Sequence, residues 1–216
     1  MLTTVQSLSR QRQPLTIENR TDSESSLNLT PQSNVLPPQT ARLGRSAQSQ
    51  KKATRSTLPG DGISRQEAKL ARMVNRYRVQ NGLPRIPLSK ALSTVANRHV
   101  RDLTRHGFTV SLHGWSDAPY DGNNPATYPS MWEAPQRLRT GYPGNGYENA
   151  YWNSGGAKAA NSFNAWKNSP PHNDLMLNLK GWQRLNWRSL GVGIQGNYAV
   201  LWVGEQADPT GKPGKE

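Results

Sequence analysis

Cysteine is absent from this 216-residue sequence, which excludes disulfide bonds, thiolate metal sites and a cysteine nucleophile. Long apolar runs are absent too. No stretch approaches the roughly 18–20 residues of a membrane-spanning helix, and the N-terminus lacks the apolar segment of roughly 7–15 residues that marks an ordinary secretory signal. Apolar residues make up 33% of the chain and the mean hydropathy is −0.82, so part of the chain is predicted not to fold.

Acidic residues are scarce beside basic ones, with 14 Asp and Glu against 27 Lys and Arg and a formal net charge of +13. This balance favours an anionic partner, such as a cell-wall polymer, an acidic lipid surface or a nucleic acid. Nucleic acid is the least favoured of these, because the sequence contains no zinc finger, helix-turn-helix signature or RNA-binding aromatic motif.

Composition divides the chain into three parts. Residues 1–62 are rich in Ser, Gln, Pro and Arg and show no apolar period, which predicts a disordered basic segment, either a plain linker or a sorting segment for export. Residues 63–206 carry the periodic patterns of a folded domain. Residues 207–216 are polar and contain Pro and Gly, which predicts a short flexible tail.

Helix boundaries are well marked in the first half of the domain. Ser64 and Glu67 form a capping-box pattern at a helix start, and Gly82 follows the end of that helix. A second helix is predicted from Ser89 to Gly107, and the chain after it is rich in turn residues. Two further helices are predicted over residues 130–138 and 157–168.

The end of the domain carries the strongest β pattern. Residues 190–194 and 198–203 are apolar, and Gly196 and Asn197 between them are typical of a two-residue hairpin turn with glycine first. Helices followed by an antiparallel hairpin predict the α+β class.

Two of the four histidines lie among helix-breaking residues, where functional sites are often built. His113 lies in a His-Gly-Trp-Ser-Asp segment, and His172 follows Pro170 and Pro171, which are expected to stop the preceding helix. Glu148 lies between glycines and an aromatic run. Together these side chains can form a zinc shell with an open position or a general acid–base cluster. Their spacing matches no local ligand motif, so both interpretations stay open.

Other candidates have simpler interpretations. His99 lies on the apolar face of the second helix and is expected to be a buried structural residue. Ser116 and Asp117 lie close to His113, but nothing specific indicates a Ser-His-Asp triad. Seven Trp and seven Tyr, against two Phe, are typical of core edges or of stacking platforms for sugars or bases. The candidate platform residues are Trp115, Trp132, Tyr151 and Trp152.

Several short motifs occur in a fixed order over roughly residues 64–206. They are Ala71-Arg72-Met73-Val74-Asn75-Arg76-Tyr77-Arg78, Asn81-Gly82-Leu83-Pro84, Leu88-Ser89-Lys90-Ala91-Leu92, His113 with Ser116-Asp117, Gly146-Tyr147-Glu148-Asn149-Ala150, Ala165-Trp166-x-Asn168-Ser169-Pro170-x-His172 and Leu190-Gly191-Val192-Gly193. In this order they resemble bacterial members of the CAP superfamily, also called SCP domains. The resemblance implies an α-β-α sandwich with a small antiparallel sheet between helices. It also implies a cavity lined by His113, Glu148 and His172, which in some members holds zinc.

The sequence departs from the family pattern at the motif positions that bear on metal affinity. The segment Lys167-Asn168-Ser169 lacks the second glutamate of the animal branch, for which Asp117 and Glu133 are candidate substitutes. Three further departures are Tyr147, Pro171 and Asn173, which replace Gly, Gly and Arg.

The resemblance implies an exported, extracellular binding or effector module. Combined with the charge, it predicts a His/Glu cleft able to hold zinc and a basic surface for anionic or glycan-bearing targets such as cell-wall material. The alternative is a zinc-dependent hydrolase, peptidase-like or cell-wall-directed, in which His113, Glu148 and His172 hold the metal that activates water.

Overall fold

A computed structural model describes residues 61–215 of the chain. The predicted disordered segment, residues 1–62, therefore lies outside the described residues except at Asp61 and Gly62. Within residues 61–215, no helix is long and apolar enough to cross a membrane.

The described chain forms six α-helices and three β-strands. The helices are α1 (Arg65–Gln80), α2 (Lys90–His106), α3 (Pro129–Trp132), α4 (Ala134–Arg137), α5 (Ala159–Asn168) and α6 (Pro170–Leu177), and the strands are β1 (Tyr147–Trp152), β2 (Ser189–Gln195) and β3 (Tyr198–Gly204). Short 3-10 turns lie at Pro125–Thr127 and Lys180–Trp182.

The sheet is antiparallel, with β3 between β1 and β2. Successive side chains of β3 point to opposite faces. Leu201 and Val203 pack into a core with α1, α5 and α6, whereas Val200 and Trp202 pack into a second core with α2 and α4. Helices therefore cover both faces of a small sheet, which confirms the predicted α+β class and α-β-α sandwich.

Two glycines of β2 bring α2 against the sheet. A Cβ at Gly193 would lie 2.6 Å from the Ala96 carbonyl oxygen, and a Cβ at Gly191 would overlap the backbone of Leu92. The Gly-Val-Gly pattern thus lets the α2 backbone approach the strand more closely than any side chain would permit.

The predicted helix and hairpin boundaries are largely confirmed. Glu67 N donates to Ser64 Oγ at 3.3 Å, and Ser64 N donates to the Glu67 carboxylate at 2.7 Å, so the capping box forms. Ser89 caps α2 and Gly107 ends it with a φ of 71°. In the hairpin, Gly196 takes a φ of 56° between the paired residues on either side of the turn.

Three expectations about local structure differ from what is found. The helix predicted over residues 130–138 is two short helices, α3 and α4, that meet at Glu133. Residues 147–152, not predicted as a strand, form β1 because they pair along their length with β3. Pro170 and Pro171 do not leave His172 in a loop: they open α6, since proline is tolerated in a first helical turn, where amides need no helical acceptor.

Residues of the predicted tail contact the start of the domain. The Asp208 carboxylate accepts hydrogen bonds from Ser89 Oγ at 2.6 Å and from Ala91 N at 2.8 Å, at the beginning of α2. Ile63 N donates to Gly214 O at 2.8 Å, and Ile63 forms a parallel bridge with Lys215. The two ends of the described chain therefore lie side by side.

Candidate functional site

Glu148 is the centre of the candidate site. It lies on β1, is only 5% exposed, and points toward the face of the sheet that α2 covers. Its Oε1 lies 2.7 Å from His99 Nδ1 and its Oε2 lies 2.9 Å from His113 Nδ1. Each carboxylate oxygen therefore accepts a hydrogen bond from a different imidazole.

His99 is fully buried in α2, at 0% exposure. Its second ring nitrogen, Nε2, lies 3.0 Å from the carbonyl oxygen of Gly114. A carboxylate and a carbonyl can only accept, so both nitrogens of His99 carry protons and the ring is an imidazolium. Burial alone would lower the pKa of His99, but the charge and hydrogen bond of Glu148 raise it above its usual value.

The same pairing acts on Glu148. Burial alone would raise the pKa of this carboxyl, yet the charge of His99 and the hydrogen bonds from His113 and His99 hold the pKa below its usual value. The ring of Trp115 stacks on His99 at 4.3 Å between centroids, with the two planes 14° apart. Water is thus kept away from a buried ion pair, within which the attraction of the charges is strong.

His113 lies in the loop after α2 and is half-buried. Because its Nδ1 donates to Glu148, its Nε2 carries a lone pair whenever the ring is neutral. His99 also holds this loop, through the carbonyl of the neighbouring Gly114. One buried carboxylate and one buried imidazolium therefore fix the position and the tautomer of His113.

His172 reaches the site from the other side of the sheet, from the first turn of α6. Its Nδ1 lies 2.7 Å from Ser169 Oγ, and its backbone carbonyl accepts from the Asn149 side chain at 2.9 Å. Burial, together with the charge of His113, lowers the pKa of His172 to about 4. The His172 ring is therefore uncharged at neutral pH.

Adjacent residues of β1 hold the two histidines, and the charge of His113 acts on the His172 ring. Neighbouring residues of a strand point to opposite faces, so Glu148 holds His113 on the α2 side and Asn149 holds His172 on the α6 side. Strand β1 is the edge strand on this side of the sheet. The candidate site therefore wraps around the free edge of β1.

The site offers few ligands for a metal ion. Within residues 61–215, no group of three or more His, Asp or Glu side chains is arranged to hold a metal ion. The groups that suit a borderline metal such as zinc are the imidazoles of His113 and His172. Glu148 holds the His113 ring, and Asn149 holds the His172 backbone.

The candidates for a second carboxylate have other roles. Asp117 forms an exposed ion pair with Arg137 at 3.2 Å, and the exposed Glu133 separates α3 from α4. Neither forms a hydrogen bond or ion pair with His113, Glu148 or His172 in the described part of the chain. Ser116 Oγ donates to Asp102 at 2.6 Å rather than to a histidine.

Of the candidate stacking residues, Trp115 is buried against His99, with the Arg137 guanidinium 4.8 Å from its ring centroid. Trp132, Tyr151 and Trp152 are half-buried. Trp115 therefore belongs to the core beside the site and offers no open platform.

Sequence reasoning missed three residues that build the site: His99, Asn149 and Ser169. The burial of His99 was expected from its helical face, but its link to Glu148 was not. A buried imidazole needs hydrogen-bond partners, so this position carried a signal for a nearby acceptor. Ser169 and Asn149 belong to two of the motifs, but their contacts with His172 were not predicted, although a serine before proline is a common helix start.

A sequence model of the cysteine-rich secretory protein family, CAP, matches residues 71–181, just over half of the chain. No curated protein matches the sequence.

Similar solved structures include an extracellular protein containing an SCP domain from Bacillus anthracis, with 17% identity and a TM-score of 0.51 over 65% of this chain and 40% of that chain. A second is a cysteine-rich secretory protein from Staphylococcus aureus, with 16% identity and a TM-score of 0.46 over 65% of this chain and 39% of that chain. A third is an outer surface protein from Borrelia burgdorferi, with 15% identity and a TM-score of 0.48 over 64% of this chain and 91% of that chain. The chain thus covers less than half the length of the first two, and the first match supports a shared fold.

Proposed function

Because the chain belongs to the CAP family, the cysteine-rich secretory proteins, we propose that it is an exported binding module. In this proposal the edge site of His113, Glu148 and His172 binds a ligand, and a basic surface engages an anionic or glycan-bearing target. Export is proposed from the family and from the first structural match, which is described as an extracellular protein.

One observation carries the proposal. Glu148 is buried and uses both oxygens to hold imidazoles, which leaves His113 Nε2 directed away from the carboxylate. His172 is uncharged at neutral pH because its pKa is about 4. An uncharged His172 and a His113 whose Nε2 faces away from Glu148 can serve as metal ligands or as hydrogen-bonding groups for a bound molecule.

Zinc is the metal that this donor set suits best, with His113 and His172 as its ligands. When bound, zinc would supply a positive centre with open positions for an anionic or carbonyl group of the ligand. Glu148 would orient His113 and increase its basicity rather than bind the ion itself, since both of its oxygens already accept hydrogen bonds.

A zinc-dependent hydrolase on the same residues is less well supported. Catalytic zinc sites usually have three protein ligands, whereas the described residues supply no group of three. His172 would also be a poor general base near pH 7, since its pKa is about 4. Two ligands suit an exchangeable ion in a binding site better than a resident catalytic ion.

Zinc titration by calorimetry on the full chain tests the proposal. The wild-type chain should bind one zinc ion, and zinc at a hundredfold excess over its Kd should stabilise the fold by about 2.7 kcal/mol. His113→Ala and His172→Ala should each abolish this effect, whereas His106→Ala, at an exposed position outside the site, should retain it.

Zinc uptake that persists in His172→Ala would refute the assignment of the ligands. A fold whose stability responds to neither zinc nor chelator would refute the metal itself. Hydrolysis of peptide or wall polymer by the zinc-loaded protein, lost in His172→Ala, would favour the enzyme over the binding module.

A further inference from the structure

Helix α1 carries a row of four exposed cations. They are Arg65, Lys69, Arg72 and Arg76, and we call them the basic stripe. Their spacings of four, three and four residues place them on one face of the helix. The eleven helical steps from Arg65 to Arg76, at 1.5 Å each, give the stripe a length of about 16 Å, with a charge about every 5–6 Å.

The stripe has no counter-charge within the described residues. The single acid of α1, Glu67, is 3% exposed and accepts hydrogen bonds from Ser64 N and Ile194 N. None of the four cations forms an ion pair or a side-chain hydrogen bond within residues 61–215. On α2, by contrast, Arg98 and Arg101 are both paired with Asp61, at 3.1 and 2.7 Å.

This arrangement works against the stability of α1. Like charges three or four residues apart repel each other. Arg65 and Lys69 also lie in the first turns, where the helix dipole disfavours cations. An anionic partner laid along the stripe would relieve both effects.

The rest of α1 restricts the kind of partner. Its large apolar side chains pack in the core, with Leu70 and Val74 at 0% exposure, except for Val79 in the last turn, which is 48% exposed. A single exposed valine gives α1 no apolar face with which to enter a membrane. Its aromatic residue, Tyr77, bonds to Asn173 and packs edge-on against Phe163, so α1 offers no free ring on which nucleobases could stack. An extended polymer with charges but no bases fits these constraints.

We propose that the basic stripe binds a linear polyanion whose singly charged groups recur at intervals no longer than the 5–6 Å or so between the cations, the chemistry shared by acidic polysaccharides and polyphosphate chains. The inference rests on the proposed function for the class of target, and it assigns that target to α1 rather than to α2 or the edge site.

The test uses the full chain with all four stripe residues changed to Gln. A control variant carries Gln at Arg105, Arg184, Arg188 and Lys212, which are exposed cations outside α1, so its net charge falls by the same amount. Binding to polygalacturonate, polyphosphate and neutral dextran is measured by calorimetry across a salt series, with acidic phosphatidylserine vesicles as a further arm.

The stripe variant should bind the polyanion roughly 100-fold more weakly than wild type, and its log–log salt slope should be shallower by about 3. The control variant should lose less than about 5-fold. Whichever of polygalacturonate and polyphosphate binds more tightly shows whether carboxylates or phosphates supply the negative charge. The stripe variant should melt no lower than wild type, because repulsion has been removed.

Equal losses in the two variants would overturn the inference, as would equal binding of dextran. Binding to vesicles without binding to either polymer would assign the stripe to a membrane and overturn it as well. His172→Ala should bind the polyanion normally. If only His172→Ala loses binding, the polymer binds at the edge site and the inference is wrong. If the stripe variant binds the polymer more weakly but the wild-type chain takes up no zinc, the inference holds and the proposed metal site is wrong.

Discussion

Replacing Glu148 with Gln removes the carboxylate that accepts hydrogen bonds from both His99 and His113. The amide oxygen can accept one of these bonds, but the amide nitrogen then faces the N–H of the other imidazole. His99 is also left without its counter-charge in a position of 0% exposure. Either the imidazolium stays without a counter-charge in the core, or it loses the Nδ1 proton and accepts a neutral hydrogen bond from the new amide, so that the attraction between the two charges is lost.

Breaking a buried pair by removing one partner costs about 3–5 kcal/mol. Domains of this size have a free energy of unfolding of about 5–15 kcal/mol, so Glu148→Gln should remove about a fifth of it or more. The melting temperature should fall by about 10 °C. Glu133→Gln, the same change at an exposed glutamate, should have almost no effect and serves as the matched control.

The pH dependence gives a second measure of the same pair. The pKa of Glu148 is lowered, so its contribution is present above the usual value of 4.5 and is lost as pH falls through the folded value. The pKa of His99 is raised, so its contribution is fully present below the usual value of 6.5 and is lost as pH rises through the folded value. The loss in Glu148→Gln should therefore be largest between about pH 4.5 and 6.5.

Urea denaturation at several pH values, followed by circular dichroism, measures both effects. A double-mutant cycle with His99→Phe should give a coupling energy of at least about 1 kcal/mol. A loss below about 1 kcal/mol in Glu148→Gln, or a loss that does not vary with pH, would contradict the buried ion pair.

Three further predictions follow from other contacts. The His172 ring should titrate near pH 4 by NMR. The free energy of unfolding should fall by about 3 kcal/mol as pH drops from 6.5 through 4, because over most of that range residue 172 is protonated only in the unfolded chain. The variant His172→Gln should lose this pH dependence. Gly191→Ala should destabilise the fold by more than about 3 kcal/mol in urea, because its Cβ would overlap the α2 backbone, whereas Gly122→Ala, with open space around it, should be neutral. Arg78→Met should cost about 2–4 kcal/mol by the same assay, because the buried guanidinium donates to three acceptors; the exposed Arg85→Met is its control.

Elements with local boundary signals could be predicted from the sequence. Ser64 and Glu67 satisfy each other at the start of α1, and Gly196 sets the hairpin turn. Both depend on residues within four positions of each other. Strand β1 has no such signal, because Tyr147–Trp152 lacks an apolar alternation and is extended only through pairing with β3, some fifty residues later.

In the candidate site, too, some residues could be predicted from the sequence and others could not. Motif order identified His113, Glu148 and His172, and the structure gathers them around the edge of β1. His99 was assigned to the core because a helical period reveals burial but not the identity of the partner across the sheet. Pro170 and Pro171 follow the end of α5 as predicted, but they also open α6, which was not predicted, because two prolines suit a helix start as well as a helix end.

The side-by-side position of Ile63 and Lys215 has a topological consequence. Since the chain enters and leaves the domain at one place, a short linker could join residue 215 to residue 61 and new ends could be opened in the exposed turn at Gly122. Asp208 would then precede α2 in the permuted chain, whereas it follows α2 in the natural order. The fold therefore depends on the contacts between the segments and not on the order in which the chain connects them.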